Sequence, residues 1–512
     1  MAERGLVVGA RIAGGTMAAG VAAVAILFVG LVPLPSTQAT PRTVTVEPAL
    51  ADQVRVCPGS AMRLGDEFGS AADTAFALGT PAISGDVVDG ELERVRLSSA
   101  DAAASPSAAP EVIRVPVSDG ALVAGAQLQD VDAPDFRGLT AASCTEPSGS
   151  IWLVGGAMTV GRSTLLLLSN PTNVASQVSL EIFGEKGAVS APGMTGIDVP
   201  AGGQVVLSLA GFAPGVASPV VHVTARGGRV TADLQQSIVR GLDSVGVELV
   251  GSGAEPGEAL VVPGVRILDS VGTSRASALG DWDDVRPAIR VAVPGDVAGT
   301  VTVRVVPEGA DTEGTSFEIE VAAGTVTELP LDSGESDEAG GSEGESEGES
   351  EGEHSHGLED GFYTVFVDAD VPVVAGVRTS TAVDIGEDAA SQPDALLDAP
   401  PSDLAWFGAA PLLTGSVIIV VPEGPASMVT FANPTADDAE IELAGRGSGV
   451  DPVVITVPAG GATTIAVEAG SYLVSGSEGL AIGVSYADAG MLAAFVISPA
   501  RPVAGPIVVH PD

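Results

Sequence analysis

Few side chains in this 512-residue sequence have the type and spacing that catalysis requires. Two overlapping Gly-x-Ser-x-Gly patterns, Gly344–Gly348 and Gly348–Gly352, would each present a nucleophilic serine if the serine sat on a strained strand-to-helix turn. Both lie instead in a run of Ser, Glu and Gly that has almost no apolar residue to hold such a turn. We interpret both matches as effects of composition and predict that the chain has no catalytic residue.

The four histidines are the other candidates for acid–base chemistry. His222 alternates with Val221 and Val223, which predicts a strand residue that faces outward at the surface. His354 and His356 follow an acidic run and could chelate a divalent ion weakly, but a solvated charged segment is the simpler interpretation.

Short acidic clusters could hold calcium, because carboxylates at alternate positions can share the ion. The full spacing of a calcium-binding loop is absent, and turns or caps explain aspartate equally well. The sequence also has no phosphate-binding loop and no dinucleotide fingerprint. We therefore predict no metal site and no cofactor. The acidic clusters are Asp130, Asp132 and Asp135, and Asp281, Asp283 and Asp284.

Cys57 and Cys144 are the only two cysteines, and they predict a disulfide if the chain is exported. Closing so long a loop would stabilise the fold by about 4–5 kcal/mol in the chain-entropy model. The alternative is two unpaired buried thiols. A zinc site is not expected, because no Cys-x-x-Cys pattern accompanies them.

An uncharged apolar segment at residues 12–32 is long enough to cross a bilayer as a helix. Arg4 and Arg11 precede it, which predicts a cytoplasmic N-terminus at 1–11 and an extracytoplasmic remainder of the chain. The predicted localisation is the cell membrane, with a single pass. The alternative is a cleaved signal peptide, since Thr37-Gln38-Ala39 resembles a small-residue cleavage site.

The composition is strongly acidic, with 22 basic and 66 acidic residues and a formal net charge of −44. Such a surface repels phosphate backbones and argues against nucleic acid as a partner. An envelope protein or a glycan remains a candidate partner. Exposed tryptophan could stack on sugar, but packing at domain junctions is the simpler role for Trp152, Trp282 and Trp406.

Short alternating strand patterns separated by Gly, Pro and Asn dominate the chain and predict an all-β fold. The pattern SNPT followed by VPAGG at 169–203 returns as ANPT and VPAGG at 432–461, with a divergent copy between them. We predict tandem immunoglobulin-like β-sandwiches, with a propeller-like ring as the alternative. The predicted regions are a Cys-bearing β region at 33–150 with a linker at 98–110, unit 1 at 151–255, unit 2 at 256–385, a linker at 386–403 and unit 3 at 404–512.

An acidic Ser/Glu/Gly tract at 333–357 interrupts unit 2. It cannot bury a core, so we predict a disordered insertion between two strands. The cost of closing a loop rises only logarithmically with its length, so the fold should tolerate the insertion.

Several segments together resemble the actinobacterial domain-of-unknown-function family numbered 5719, from about residue 50 to the end of the chain. This resemblance implies an exported, membrane-associated protein. It brings no activity and no catalytic residues. The segments are CPG at Cys57–Gly59, SCTEPSGSIWLVGG at 143–156, the SNPT, VPAGG and VVHVTARGGRV series, GDWDDVRPA at 280–288 and DVPVVAGVRTS at 370–380.

The expected function is that of a non-enzymatic, membrane-anchored binding or spacing scaffold of the cell envelope, because β modules without a nucleophile and base usually recognise or space. One alternative is an accessory subunit of an envelope biosynthesis or export machine. A second is a cell-wall hydrolase or transferase, which would need carboxylates that converge in a cleft.

Overall fold

The computed structural model describes residues 52–65, 74–99, 105–116, 121–277, 282–309, 314–332, 357–384, 386, 401–447 and 451–499, together with the backbone of two terminal strands. Those strands, β1 (Val44–Val46) and β34 (Ile507–Val509), pair antiparallel in a small unit of their own. The second compact unit is Leu50–Arg501. The predicted anchor at 12–32, most of the insertion at 333–357 and most of the linker at 386–403 lie outside the described residues.

Within Leu50–Arg501 the chain forms four consecutive β modules, which we call modules I to IV. Modules II to IV each have eight strand positions in two antiparallel sheets, in the spatial orders 1-6-3-4 and 5-2-7-8. The predicted all-β class is thus found. The immunoglobulin type is not confirmed, because its sheet order places the first two strands side by side, whereas here they belong to opposite sheets.

Module II contains the segment with the clearest alternation, and residues from both of its sheets share one apolar core. Its third strand also carries a short hairpin partner, β13. The strands are β10 (Ser150–Val154), β11 (Arg162–Asn170), β12 (Ser176–Gly184), β13 (Gly187–Val189), β14 (Ile197–Val199), β15 (Gly203–Ser208), β16 (Val220–Gly227), β17 (Thr231–Arg240) and β18 (Asp243–Val250).

Module IV repeats module II strand for strand, with the sheets β26-β31-β28-β29 and β30-β27-β32-β33. Its strands are β26 (Val417–Val421), β27 (Met428–Asn433), β28 (Ala439–Gly445), β29 (Val453–Val457), β30 (Gly461–Ala466), β31 (Gly470–Ser475), β32 (Ala481–Asp488) and β33 (Met491–Val496).

Module III has the same order, but its sixth and seventh positions are the two halves of one continuous strand, β24, which belongs to both sheets. The sequence pattern at 362–380 predicts instead a closing pair of strands. Its last strand, β25, pairs with β24, so this strand belongs to module III although the predicted boundary places most of it in unit 3. The elements are β19 (Gly257–Ile267), helix α1 (Ser270–Ser277), β20 (Ala288–Ala292), β21 (Gly299–Pro307), β22 (Thr315–Val321), β23 (Val326–Pro330), β24 (Gly361–Ala382) and β25 (Ser402–Gly408).

Module I, the Cys-bearing region, is a reduced copy. Its sheets β2-β7-β6 and β5-β8-β9 occupy positions 1-6-3 and 2-7-8, and the hairpin β3–β4 is inserted after the first strand. Positions 4 and 5 have no strand in the described part of this module. The strands are β2 (Gln53–Cys57), β3 (Met62–Leu64), β4 (Ala75–Ala77), β5 (Ala82–Val88), β6 (Glu93–Arg96), β7 (Glu111–Val115), β8 (Leu122–Ala133) and β9 (Phe136–Ser143).

The last strands of the four modules form a closed circuit of contacts: β9 touches β18, β18 touches β25, β25 touches β33, and β33 touches β9. Each neighbouring pair of modules therefore meets, including the first and the last. A ring of units, the alternative expectation, agrees with this circuit.

The run Leu165–Leu168 shows why some strands lack alternation. Leu166 and Leu168 belong to the core of module II, whereas Leu165 and Leu167 pack on Met62 of module I. Both faces of β11 are therefore covered by apolar side chains, as a continuous hydrophobic run indicates.

None of the helices in the described ranges is both long and apolar enough to span a membrane.

Candidate functional site

The connections that lead from one module to the next come together at a single cavity of about 200 Å³. Each of four lining segments follows the last strand of one module. They are residues 145–148 after module I, 252–255 after module II, Pro411 after module III and 498–499 after module IV. The start of β10 completes the wall. A ring of modules has brought together four chain segments that are far apart in the sequence.

The wall of this linker-end cavity contains hydroxyl groups, two carboxylates and an indole. Glu146 pairs with Arg55 at 3.1 Å, while Glu255 is exposed. Trp152 is 8% exposed and packs on residues of module III. Carboxylates and hydroxyls on one wall can bond to the hydroxyls of a small neutral ligand. The lining residues are Thr145, Glu146, Ser148, Ser150, Ile151, Trp152, Ser252, Gly253, Glu255, Pro411, Ser498 and Pro499.

His222 lies beside this cavity. The sequence predicts an outward-facing surface residue on a strand, and the structure places it on a strand with a side chain that is only 15% exposed. It stands on the central strand β16, between Trp152 on β10 and Glu181 on β12. Its Nε2 atom lies 3.1 Å from Ser150 Oγ, and its Nδ1 atom lies 2.7 Å from Glu181 Oε2. The imidazole stacks on Trp152 with 4.1 Å between ring centroids and 5° between planes. Sequence reasoning missed this group because its members are distant in the chain.

A second polar centre lies where the four last strands meet, and it is filled by the carboxyl group of Asp403. The main-chain N–H groups of Leu139, Val247, Leu404 and Leu492 donate to it at 2.7, 3.3, 2.9 and 3.1 Å. These four donors come from four different modules. Burial raises the pKa of Asp403 well above its ordinary value, against the lowering effect of the N–H groups.

Glu248 lies near this centre and is also fully buried. Its Oε1 accepts from Ala494 N at 3.3 Å. Burial and the neighbouring Asp403 raise the pKa of Glu248 well above its ordinary value. The pair holds strands together and lies outside the lining of the linker-end cavity.

An ion network joins modules II and III. Arg290 is 2% exposed, bonds to Glu328 at 2.7 Å and donates to the carbonyls of Gly156 and Pro219. Burial raises the pKa of Glu328, but the positive charges of Arg290 and Arg378 lower it by more, so that the resulting pKa is about 2. The bonds from Arg290 to the two carbonyls tie module III to module II, whereas the pair with Glu328 lies within module III, and we assign the network to structure.

Cys57 and Cys144 are joined by a disulfide, and both are buried in the core of module I. The described residues of the two acidic clusters do not assemble into a calcium site. In one of them Asp284 pairs with Arg162 and Arg240, and no group of three His, Cys, Asp or Glu side chains that could hold a metal exists among the described residues. Asp281, the Gly-x-Ser-x-Gly matches and the pair His354 and His356 lie outside those residues.

The three tryptophans all pack at module junctions. Arg240 lies over the Trp282 ring at 4.2 Å, and Arg290 lies over the Trp406 ring at 4.4 Å. Trp406 Nε1 also donates to Gln236 at 2.6 Å. Trp152 alone among them lines the linker-end cavity.

The fold and the cavity define an all-β protein of repeated modules closed into a ring. The model of the family of unknown function DUF5719 matches residues 98–469, well over half of the chain. The chain therefore belongs to this family.

No curated protein matches the chain. Among solved structures, the chain is similar to "Crystal Structure of Thermotoga maritima 1070", with 14% identity, a TM-score of 0.18, and coverage of 31% of this chain and 96% of that one. It is also similar to "Biofilm associated protein - BSP domain", with 9% identity, a TM-score of 0.13, and coverage of 92% and 100%. TM-scores this low support no argument about fold or function.

Proposed function

We propose that this protein is a binding scaffold of the cell envelope, anchored in the membrane by residues 12–32, with its ring of modules outside the cytoplasm. The observation that carries the proposal is the convergence of segments from all four modules on the linker-end cavity. A closed ring holds such a site rigidly, and a preorganised site loses less entropy when it binds.

The chemistry of the wall favours a small, neutral, hydroxyl-rich ligand such as one sugar unit of a glycan. Serine hydroxyls and the Glu255 carboxylate can exchange hydrogen bonds with sugar hydroxyls, and an indole edge can contact the apolar face of a sugar. The net charge of −44 disfavours anionic polymers.

Two features support a location outside the cytoplasm. The uncharged segment 12–32 follows Arg4 and Arg11, and the module that comes after it contains a disulfide, which oxidising compartments favour. A reporter enzyme that works only outside the cytoplasm, fused after residue 45, should be active. An active cytoplasmic reporter at that position would contradict the proposed orientation.

Glycan binding can be tested with the full-length chain in detergent, using an array of neutral mono- and disaccharides and the intrinsic tryptophan fluorescence. We expect binding that Glu255→Gln weakens by about tenfold, as expected for the loss of one charged hydrogen bond. Glu258→Gln is the matched control, because Glu258 is exposed and lies three residues away, outside the cavity. No binding to any neutral sugar, or equal binding by both variants, would refute the proposal.

A further inference from the structure

We propose that Ser150, His222 and Glu181 form a catalytic triad that hydrolyses a small neutral ester bound in the linker-end cavity. This goes beyond the binding role and replaces the expectation of a protein without activity. The roles are nucleophile for Ser150, general base for His222 and positioning residue for Glu181.

The three side chains have the connectivity that nucleophilic catalysis needs: a nucleophile bonded to a base, and the base bonded to a group that orients it. Ser150 Oγ is 3.1 Å from His222 Nε2, and Glu181 Oε2 is 2.7 Å from His222 Nδ1. Because a carboxylate accepts, the bond to Glu181 places the ring proton on Nδ1 and leaves Nε2 to accept the serine proton.

The imidazole is held in this orientation by the sheet and by a ring contact. His222 is paired in register with Trp152 on one side and with Glu181 on the other. The parallel stack on Trp152 blocks rotation of the imidazole out of its plane. The side chain of His222 is only 15% exposed, so water competes little for Nε2.

The sheet does not need this group in order to fold. Module IV builds the same sheet, and its register places Ser416 where module II has Ser150, Leu473 where it has His222, and Ala444 where it has Glu181. The serine position is thus retained, but module IV has neither the base nor the orienting carboxylate. In module IV, apolar residues therefore suffice at the positions of His222 and Glu181 to build the sheet.

Ser150 lines the cavity, so an ester in the cavity can reach its hydroxyl. In the first step Ser150 Oγ bonds to the ester carbonyl carbon and its proton passes to His222 Nε2. The alcohol then leaves with that proton, and an acyl group stays on Ser150. Water, deprotonated by His222, attacks the acyl group, and the acid is released as Ser150 regains its proton. No other reactant is required.

The size and charge of the cavity limit the substrate. About 200 Å³ accommodates a short acyl group and a small alcohol, such as one acetylated sugar unit. The carboxylates of Glu146 and Glu255 on the wall disfavour an anionic ester.

The test uses the full-length chain in detergent, a fluorophosphonate that labels activated serines, and p-nitrophenyl acetate. We expect an adduct on the peptide that contains Ser150, found by mass spectrometry. Ester hydrolysis should fall at least about 100-fold in Ser150→Ala and in His222→Gln, the typical contribution of a nucleophile and base. Ser416→Ala, the matched change in module IV, should label and hydrolyse like the wild type.

Glu181→Gln should lower the rate and alter its pH profile, since an amide does not fix the same imidazole tautomer. A merely structural role would leave the pH profile unchanged. Thermal unfolding of each variant shows whether its fold is intact. An adduct at another residue, no adduct, or full hydrolysis by Ser150→Ala would refute the triad. Sugar binding retained in Ser150→Ala would leave the scaffold role standing, so the two proposals fail separately.

Discussion

Asp233 is a carboxyl group that the fold buries almost completely. It stands on β17, on the face opposite the core residues Ala232 and Leu234, and is 1% exposed. Its Oδ1 atom has no hydrogen-bond partner. Burial raises the pKa of Asp233 to about 7. The group is therefore protonated in the folded chain at mildly acidic pH, where the unfolded chain has already lost the proton.

We predict that Asp233 makes the protein less stable as the pH rises from about 4 to about 7. In that window the folded state binds the extra proton, so the free energy of unfolding falls with pH, by up to roughly 4 kcal/mol for a shift of this size. Asp233→Asn should remove this contribution to the fall of the free energy of unfolding with pH. The variant should therefore become more stable relative to the wild type as the pH rises. Urea unfolding at several pH values measures it, with the exposed Asp198→Asn as the control. A parallel pH dependence in both variants would contradict the prediction.

At the scale of elements, the repeated sequence motifs have a structural explanation. Asn170 donates to the carbonyls of Val174 and Val199 and accepts from Thr172, and Asn433 makes the same set of bonds with Asp437, Val457 and Thr435. Gly202 and Gly460, in the second motif, have φ values of 65° and 62°. The two motifs therefore mark turns, as their residue types predict.

Other elements could not be predicted because the signal that identifies them is not local. The described part of module I has no strand at two positions and has an added hairpin, so its kinship with modules II to IV is visible only in the strand order. The pattern at 362–380 reads as two strands, but it is one strand that passes from one sheet to the other. Ser150, Glu181 and His222 come together only through strand register, which a single sequence does not reveal.

The acidic insertion can be tested at this scale. Gly357, at its far end, lies against the Asp332 carboxylate, at its near end, so the described ends are neighbours. Deletion of 334–355 should therefore leave the thermal midpoint nearly unchanged, because shortening a loop alters its closure free energy by only about 1 kcal/mol. Calorimetry of the deletion variant beside the full chain gives the answer. Loss of cooperative unfolding would mean that the tract stabilises module III.

At the scale of the whole molecule, the four last strands meet at the carboxyl group of Asp403. We predict that Asp403→Asn destabilises the folded protein by about 3 kcal/mol or more. The nitrogen of the asparagine amide cannot accept a hydrogen bond, and its own N–H groups would face main-chain N–H groups that also donate. Urea unfolding measures the loss, and Asp135→Asn, at an exposed position, should change stability little. An unchanged midpoint in Asp403→Asn would show that the four N–H groups do not depend on the carboxyl group.

Closure of the ring also dictates when the molecule can finish folding during synthesis. Apolar residues of module I, among them Leu128 and Leu139, share one core with Ile419 and Val484 of module IV. The first module to leave the ribosome must therefore wait for the last one, and contacts of such long sequence separation form slowly. A chain interrupted after module III would expose the apolar surfaces of modules I and III that module IV covers in the complete chain.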